Sequence, residues 1–206
     1  MAVSIYKNDI PQSLDLGSDI AVDTETMGLK FGRDRLCLVQ IADSKGKVYF
    51  VQIDKNQKIA PNLAKIMTDE SVVKIFHYAR FDIGVLYKNL NFMTRNIYCT
   101  KIASKLGRTF SQNHGLKDLC ESLCKVKLDK KVGSSTDWNK DLTEISDKEA
   151  TYAANDVKYL KTIKDKLQTM LEREKRFDLF LSTMKGLASR IELDKAGFKD
   201  PNIYEH

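Results

Sequence analysis

Proline is scarce in this chain, with 3 residues in 206, and glycine supplies only 10. A turn-dense all-β protein draws heavily on both, so their scarcity excludes that class and favours long helices. No apolar run approaches the roughly 18 residues that a membrane-spanning helix needs. The opening MAVSIYKNDIPQ has no basic-then-apolar leader, from which a cytoplasmic location is expected. Cysteine is sparse too: Cys37, Cys99, Cys120 and Cys124, of which only the last two are close, at a helical i, i+4 spacing. Without C-x₂-C pairs there is no structural zinc signature, and buried free thiols in a reducing compartment are expected.

What is present describes a folded, soluble protein. Hydrophobic residues make up 42% and charged residues 30%, which excludes a disordered chain. The length fits a single domain over 1–206 with a substantial core. Lys and Arg outnumber Asp and Glu by 34 to 28, a net charge of +6. Such an excess suits a polyanionic partner without specifying one.

Periodicity divides the chain. Residues 19–24 (DIAVDT), 35–43 (RLCLVQIAD) and 47–53 (KVYFVQI) read as an antiparallel meander of three strands, with Gly28, Gly32 and Gly46 in the connections. A helix is expected at 60–68, with Pro61 in its first turn. A short buried strand at 72–76 (VVKIF), a helix at 79–89 and a last short strand at 96–99 follow. From Lys101 the pattern is helical: 115–124, 146–171 and 174–193 carry apolar residues at i, i+3, i+4 and i+7. Ser146 and Glu149 form a capping-box signature at the start of the longest helix. The stretch 128–139 (LDKKVGSSTDWN), with the only Trp, reads as a loop. The fold class expected is α/β, strands first and helices after.

Three clusters are candidates for chemistry. Asp23 and Glu25 stand two apart at the end of the first strand, so alternation puts both carboxylates on one face. Such a pair is costly unless a cation lies between them, although acids are also common at solvated strand ends. His77 and Asp82 follow the short buried strand, and Asp82 falls in a first helical turn, where the macrodipole by itself favours a carboxylate. Tyr152 and Asp156 share a helix face at i, i+4, and Ala153 and Ala154 leave room there for a ligand. Together Asp23, Glu25, Asp82 and Asp156 form an oxygen-only donor set, which selects Mg²⁺ or Mn²⁺ over zinc. Four carboxylates can hold two such ions about 4 Å apart, the arrangement that cleaves phosphodiesters. The Tyr152 hydroxyl, one turn before Asp156, is placed to orient an attacking water.

The order VDTET (22–26), HYARFD (77–82), YAAND (152–156) resembles the three exonuclease motifs of the DEDD superfamily, in its Tyr-containing branch. Thr151 occupies the position at which the sister branch carries His. The segment 128–160, including Thr136-Asp137-Trp138, is similar to the corresponding part of ribonuclease D, and the likeness runs from about Asp19 to about Leu171. Ribonuclease D carries helical nucleic-acid-binding domains after this one, and none follows here before His206. A free-standing domain of this size, with the run QNHGLKDL (112–119), resembles the nano-RNase C group of alphaproteobacteria.

That resemblance implies the ribonuclease-H-like exonuclease fold, with a mixed central sheet flanked by helices. It also implies a two-metal 3′→5′ exoribonuclease releasing nucleoside 5′-monophosphates. Asp23, Glu25 and Asp156 would hold one ion; Asp23 would bridge to a second, served by Asp82. Thr26, Met27 and Gly28 would line the substrate, with Leu29 as a wedge between terminal bases. Arg80, His114 and Lys117, with Arg108 a weaker candidate, would contact substrate phosphates, and His77 would sit near the scissile region, though each also suits an ordinary surface or helix-end role. The 5′-phosphate cap would come from Arg80, His114, Lys117 or a neighbouring subunit. A short RNA, especially a 5′-phosphorylated dinucleotide, is the expected substrate, and a homo-oligomer (an octameric ring in the family) the expected assembly, to which the helix at 174–193 would offer surface. The rival readings are trimming of longer RNA or of DNA, and an inactive nucleic-acid-binding module.

Overall fold

A computed structural model describes residues 3–30, 33–128, 136–198, 200–203 and 205. Gly32, and residues 129–135 of the loop expected at 128–139, lie outside them.

The three apolar runs of the first third form the expected meander: β2 (Asp19–Thr26) pairs antiparallel with β3 (Leu36–Ala42), and β3 antiparallel with β4 (Val48–Gln52). β5 (Val73–Phe76) joins β2 in parallel and β6 (Ile97–Cys99) joins β5 in parallel. A strand that the periodicity did not reveal, β1 (Val3–Lys7), adds in parallel to β4. The sheet order is β1-β4-β3-β2-β5-β6. All seven residues of β3 are buried, because that strand lies inside a sheet covered on both faces and so loses the polar alternation of a half-solvated strand.

Helices α1 (Pro61–Thr68), α2 (Ala79–Leu90) and α3 (Thr100–Gly107) follow their expected places. Two expected helices are corrected. The segment 115–124 is a single α-turn, α4 (Leu116–Leu119), running into a π-type turn over Cys120–Cys124 that Lys125 ends in the left-handed region at φ 59°. The helix expected at 146–171 breaks at Tyr159 into α5 (Asp147–Lys158) and α6 (Leu160–Arg173). No Gly or Pro marks the break; α5 lies across β2, β3 and β4 while α6 turns onto α3 and the π-type turn, so tertiary packing divides them.

α7 (Phe177–Lys195) buries Phe180, Met184, Leu187 and Ile191 as one stripe within the chain and leaves Leu179 and Leu181 exposed. Its C-terminal end is tied to the start of α2. Arg80 places Nε and Nη2 on the two carboxylate oxygens of Asp194, at 2.6 and 2.7 Å, and Arg190 adds a third contact at 2.9 Å. Burial works against the Asp194 charge, but the two guanidinium groups hold its carboxyl below the usual range. All four cysteines are free, three buried and Cys124 half-buried; burial pushes the Cys37 thiol up to about 11.

Candidate active site

The apolar residues Ile20, Ala21 and Val22 are buried, and they drive β2 through the core so that its C-terminal end delivers Asp23 and Glu25 at the sheet surface. Across that surface lies α5, which brings Asp156. Ala153 and Ala154, read from sequence as leaving room for a ligand, are instead fully buried beneath α5. Their small side chains let the helix approach the sheet closely. Asp23, Glu25 and Asp156 each bring a carboxylate oxygen within 4.8 Å of the other two. At that separation and an effective dielectric constant of about 20, each like-charged pair costs about 3 kcal/mol, so the cluster favours a cation. Hard oxygen donors with partial exposure suit a divalent ion that keeps some of its waters.

Asp82 stands apart from that trio. It belongs to the first turn of α2 and is buried. The pairing of β5 with β2 stops at Ala21 opposite Ile75, so among the described residues 22–26 have no strand beside them on that edge. Asp82 takes the place of one: it accepts from Thr24 Oγ1 at 2.7 Å and from the backbone N–H of Thr24. Burial, and after it the charge of Asp156, raise the Asp82 carboxyl above its ordinary value, against the pull of those hydrogen bonds. An ion nearby would reverse that balance.

The other side of the cluster is set by the loop before α5. Arg35 donates through Nη1 to the carbonyls of Leu36 and Ile53 and through Nη2 to Asn139 Oδ1, while Gln52 Nε2 donates to the Lys140 carbonyl at 3.0 Å. The capping box is formed, with Lys140 Nζ 3.1 Å from Glu149. Trp138 is buried, its ring 6.4 Å from that of Tyr152. This bracing sets Tyr152, whose hydroxyl hydrogen-bonds Asp156. Burial first, and then the charges of Asp156, Glu25 and Asp23, raise the phenol well above its ordinary value. It stays protonated at neutral pH, suited to orient a water and not to deprotonate one.

The expected substrate contacts are scattered more widely. In the loop after β2, Leu29 is 84% exposed and Met27 58%. Asp34 braces that loop by accepting from the Lys30 N–H at 2.8 Å, and a Cβ at Gly28 would meet Asp34 Oδ2 at 2.5 Å, so a larger residue there would displace the Asp34 carboxylate. Thr26 Oγ1 donates to the Gly28 carbonyl. His77 Nδ1 lies 2.9 Å from Thr100 Oγ1, and that hydroxyl gives its own proton to the Phe76 carbonyl. Arg80 is engaged with Asp194 as described above. His114 Nδ1 is 2.8 Å from Ser104 Oγ, which also takes Arg108 Nη1 at 3.5 Å. Burial and then the charges of Arg108, Lys105 and Lys101 lower the His114 pKa. Lys117 is exposed on α4.

Sequence reasoning missed two participants. Thr24 lies between the two acids, and alternation alone sends it to the other face. Gln40 was a visible signal: one amide inside the apolar run LCLVQIA of a buried strand.

Three carboxylates and a phenol meet at the surface of this mixed sheet, in a ribonuclease-H-like exonuclease fold. The chain belongs to the 3′-5′ exonuclease family, whose profile matches residues 7–172. Among solved structures it is similar to Brucella melitensis NrnC bound to pGG, at 41% identity and a TM-score of 0.93 over 100% of this chain and 99% of that one. It is similar also to Brucella melitensis NrnC with bound Mg²⁺, at 40% identity and a TM-score of 0.93 over 100% of both chains. The ribonuclease D of Gluconacetobacter diazotrophicus is 30% identical over 82% of this chain and 42% of its own length. The chain thus spans well under half of the curated relatives it matches.

Proposed function

We propose that this chain is a 3′→5′ exoribonuclease that uses two divalent ions, Mg²⁺ or Mn²⁺, to hydrolyse very short RNA. Its preferred substrate is a 5′-phosphorylated dinucleotide, and its products are nucleoside 5′-monophosphates. The observation that carries this reading is the whole-length likeness to an NrnC structure holding pGG, joined to the trio Asp23, Glu25 and Asp156. Asp23, Glu25 and Asp156 would hold one ion, and Asp23 with Asp82 a second. When bound, such ions activate a water and offset charge on the attacking and leaving oxygens. Tyr152 orients the water through its hydroxyl. Leu29, exposed on a braced loop, wedges against the terminal bases, with Thr26, Met27 and Gly28 shaping the approach. His77, Arg80, His114 and Lys117 are the candidates for phosphate and sugar contacts. A closed 5′ end would exclude longer RNA by sterics, and self-association through surfaces such as α7 would help to close it.

The test is a time course on 5′-labelled RNAs of two to about twenty nucleotides with Mg²⁺ or Mn²⁺. The expected kcat/KM is highest for the 5′-phosphorylated dinucleotide and falls when the phosphate is removed or a nucleotide is added. Equal or faster cleavage of the long RNA would overturn the preference and favour the second reading, ribonuclease D-like trimming of longer 3′ ends, which rests on the curated relatives. A rate unchanged by EDTA would overturn the metal mechanism. Asp156→Asn, which keeps volume and removes a ligand charge, is expected to abolish most activity in a folded protein.

A further inference from the structure

Gln40 is a fully buried amide in the middle of β3. Its neighbours along the strand, Val39 and Ile41, are equally buried and apolar. It pairs directly across from Asp23 on β2, while Glu25 is paired two residues along, to Leu38. Directly paired residues share a face, and so do residues two apart on one strand, so Asp23, Glu25 and Gln40 all project to the side that α5 covers. On that side Gln40 Nε2 donates to Glu25 Oε1 at 3.3 Å. The amide oxygen, Oε1, is buried without a hydrogen-bond partner.

Packing does not account for this residue. A Met or Leu would fill nearly the same volume on the sheet face without the orphaned oxygen, and a buried unsatisfied polar atom is a cost that a packing role has no reason to carry. The amide does one thing that an apolar side chain cannot. It ties down one oxygen of Glu25, the trio member with the longest side chain and the most rotamers to lose. A ligand carboxylate held before the ion arrives gives up less freedom on binding, which is why groups that hydrogen-bond metal ligands tune affinity as strongly as they do.

We propose that Gln40 is a positioning residue: its amide N–H fixes the Glu25 carboxylate for a divalent ion shared with Asp23 and Asp156. The proposal rests on reading that trio as a metal site. It assigns to β3, which contributes no acid, a part in metal affinity.

The test compares wild type with Gln40→Met and Gln40→Leu by calorimetric titration of Mn²⁺ into the metal-free protein, thermal melts with and without Mn²⁺, and dinucleotide kinetics. Both variants are expected to melt at or above the wild-type temperature without metal, since the orphaned oxygen is gone. Their Mn²⁺ affinity should fall roughly 10-fold or more, and the rise in melting temperature on adding Mn²⁺ should shrink. kcat should fall at fixed Mn²⁺ and recover at high Mn²⁺, with the KM for dinucleotide little changed. Wild-type Mn²⁺ affinity in a folded variant would overturn the role of Gln40 while leaving the metal site standing. Should one variant fail to fold, the other carries the comparison, and collapse of both without metal would overturn the proposal, since it would make Gln40 a packing residue. Absence of Mn²⁺ binding by the wild type would overturn the metal reading and this proposal with it.

Discussion

Replacing Thr24 by Val tests how Asp82 is held. The two side chains are buried, and Oγ1 donates to Asp82 Oδ1 at 2.7 Å. Val keeps the β-branched shape, so the strand and its packing should survive, and only the hydroxyl is lost. Asp82 retains the backbone N–H of Thr24 and its own, so the carboxylate loses one donor of three. A hydrogen bond to a charged group is worth about 1.5–3 kcal/mol, which corresponds to roughly 10- to 150-fold in binding or rate. The measurements are kcat and KM on a 5′-phosphorylated dinucleotide across a Mg²⁺ series, with circular dichroism to confirm the fold. Thr24→Val should lower kcat by roughly 10-fold or more and raise the Mg²⁺ needed for half-maximal rate, leaving the KM for dinucleotide nearly unchanged. Thr24→Ser, which restores the hydroxyl, should recover most of the loss. A Thr24→Val protein with wild-type kcat and metal dependence would refute the reasoning and leave Asp82 as a cap on a strand edge.

Tyr152→Phe removes only the hydroxyl that touches Asp156 and should lower kcat by roughly 10²-fold, the size typical of a positioned proton-handling group; a near-normal rate would make the ring a packing partner of Trp138. Leu29→Ala should leave the melting temperature unchanged, because the side chain is 84% exposed, yet raise the KM for dinucleotide; an unchanged KM would remove the wedge. Ser146→Ala should cost about 1 kcal/mol through the lost cap, read as a drop of about 2–4 °C in melting temperature for a chain of this size. Hydrogen bonds from Ser146 and Lys140 lower the Glu149 carboxyl to about 2 from an ordinary 4.5. A carboxyl with a lowered folded pKa stabilises the fold above its unfolded pKa and loses that stabilisation as pH falls toward the folded one. The gap between wild type and Ser146→Ala should therefore be full at pH 7 and narrow between about 4.5 and 2; a gap that widens with acid would contradict the capping geometry.

The meander, the capping box and the three acidic motifs were legible in the sequence, because each is a local pattern: alternation, an i, i+3 pair, and for the acids an i, i+2 pair, a first-turn carboxylate and an i, i+4 pair. Strand β1 was not, since it pairs with β4, about 45 residues away, and parallel pairing leaves no turn signal between partners. Nor was the break at Tyr159, where no Gly or Pro intervenes and two different packing surfaces divide one helical period. Within the site, the sequence supplied Asp23, Glu25, Asp82, Tyr152 and Asp156 as types and spacings. Only the tertiary structure decided that three of the acids converge within 4.8 Å while Asp82 stands at the open edge of β2, because the end of the β2–β5 pairing at Ala21 opposite Ile75 is a property of the sheet. It likewise decided that Arg80 is engaged by Asp194, more than a hundred residues away, and that Gln40 reaches Glu25 across a strand pair. A sequence records which groups are available; how two distant groups meet depends on register and packing, which belong to the whole fold.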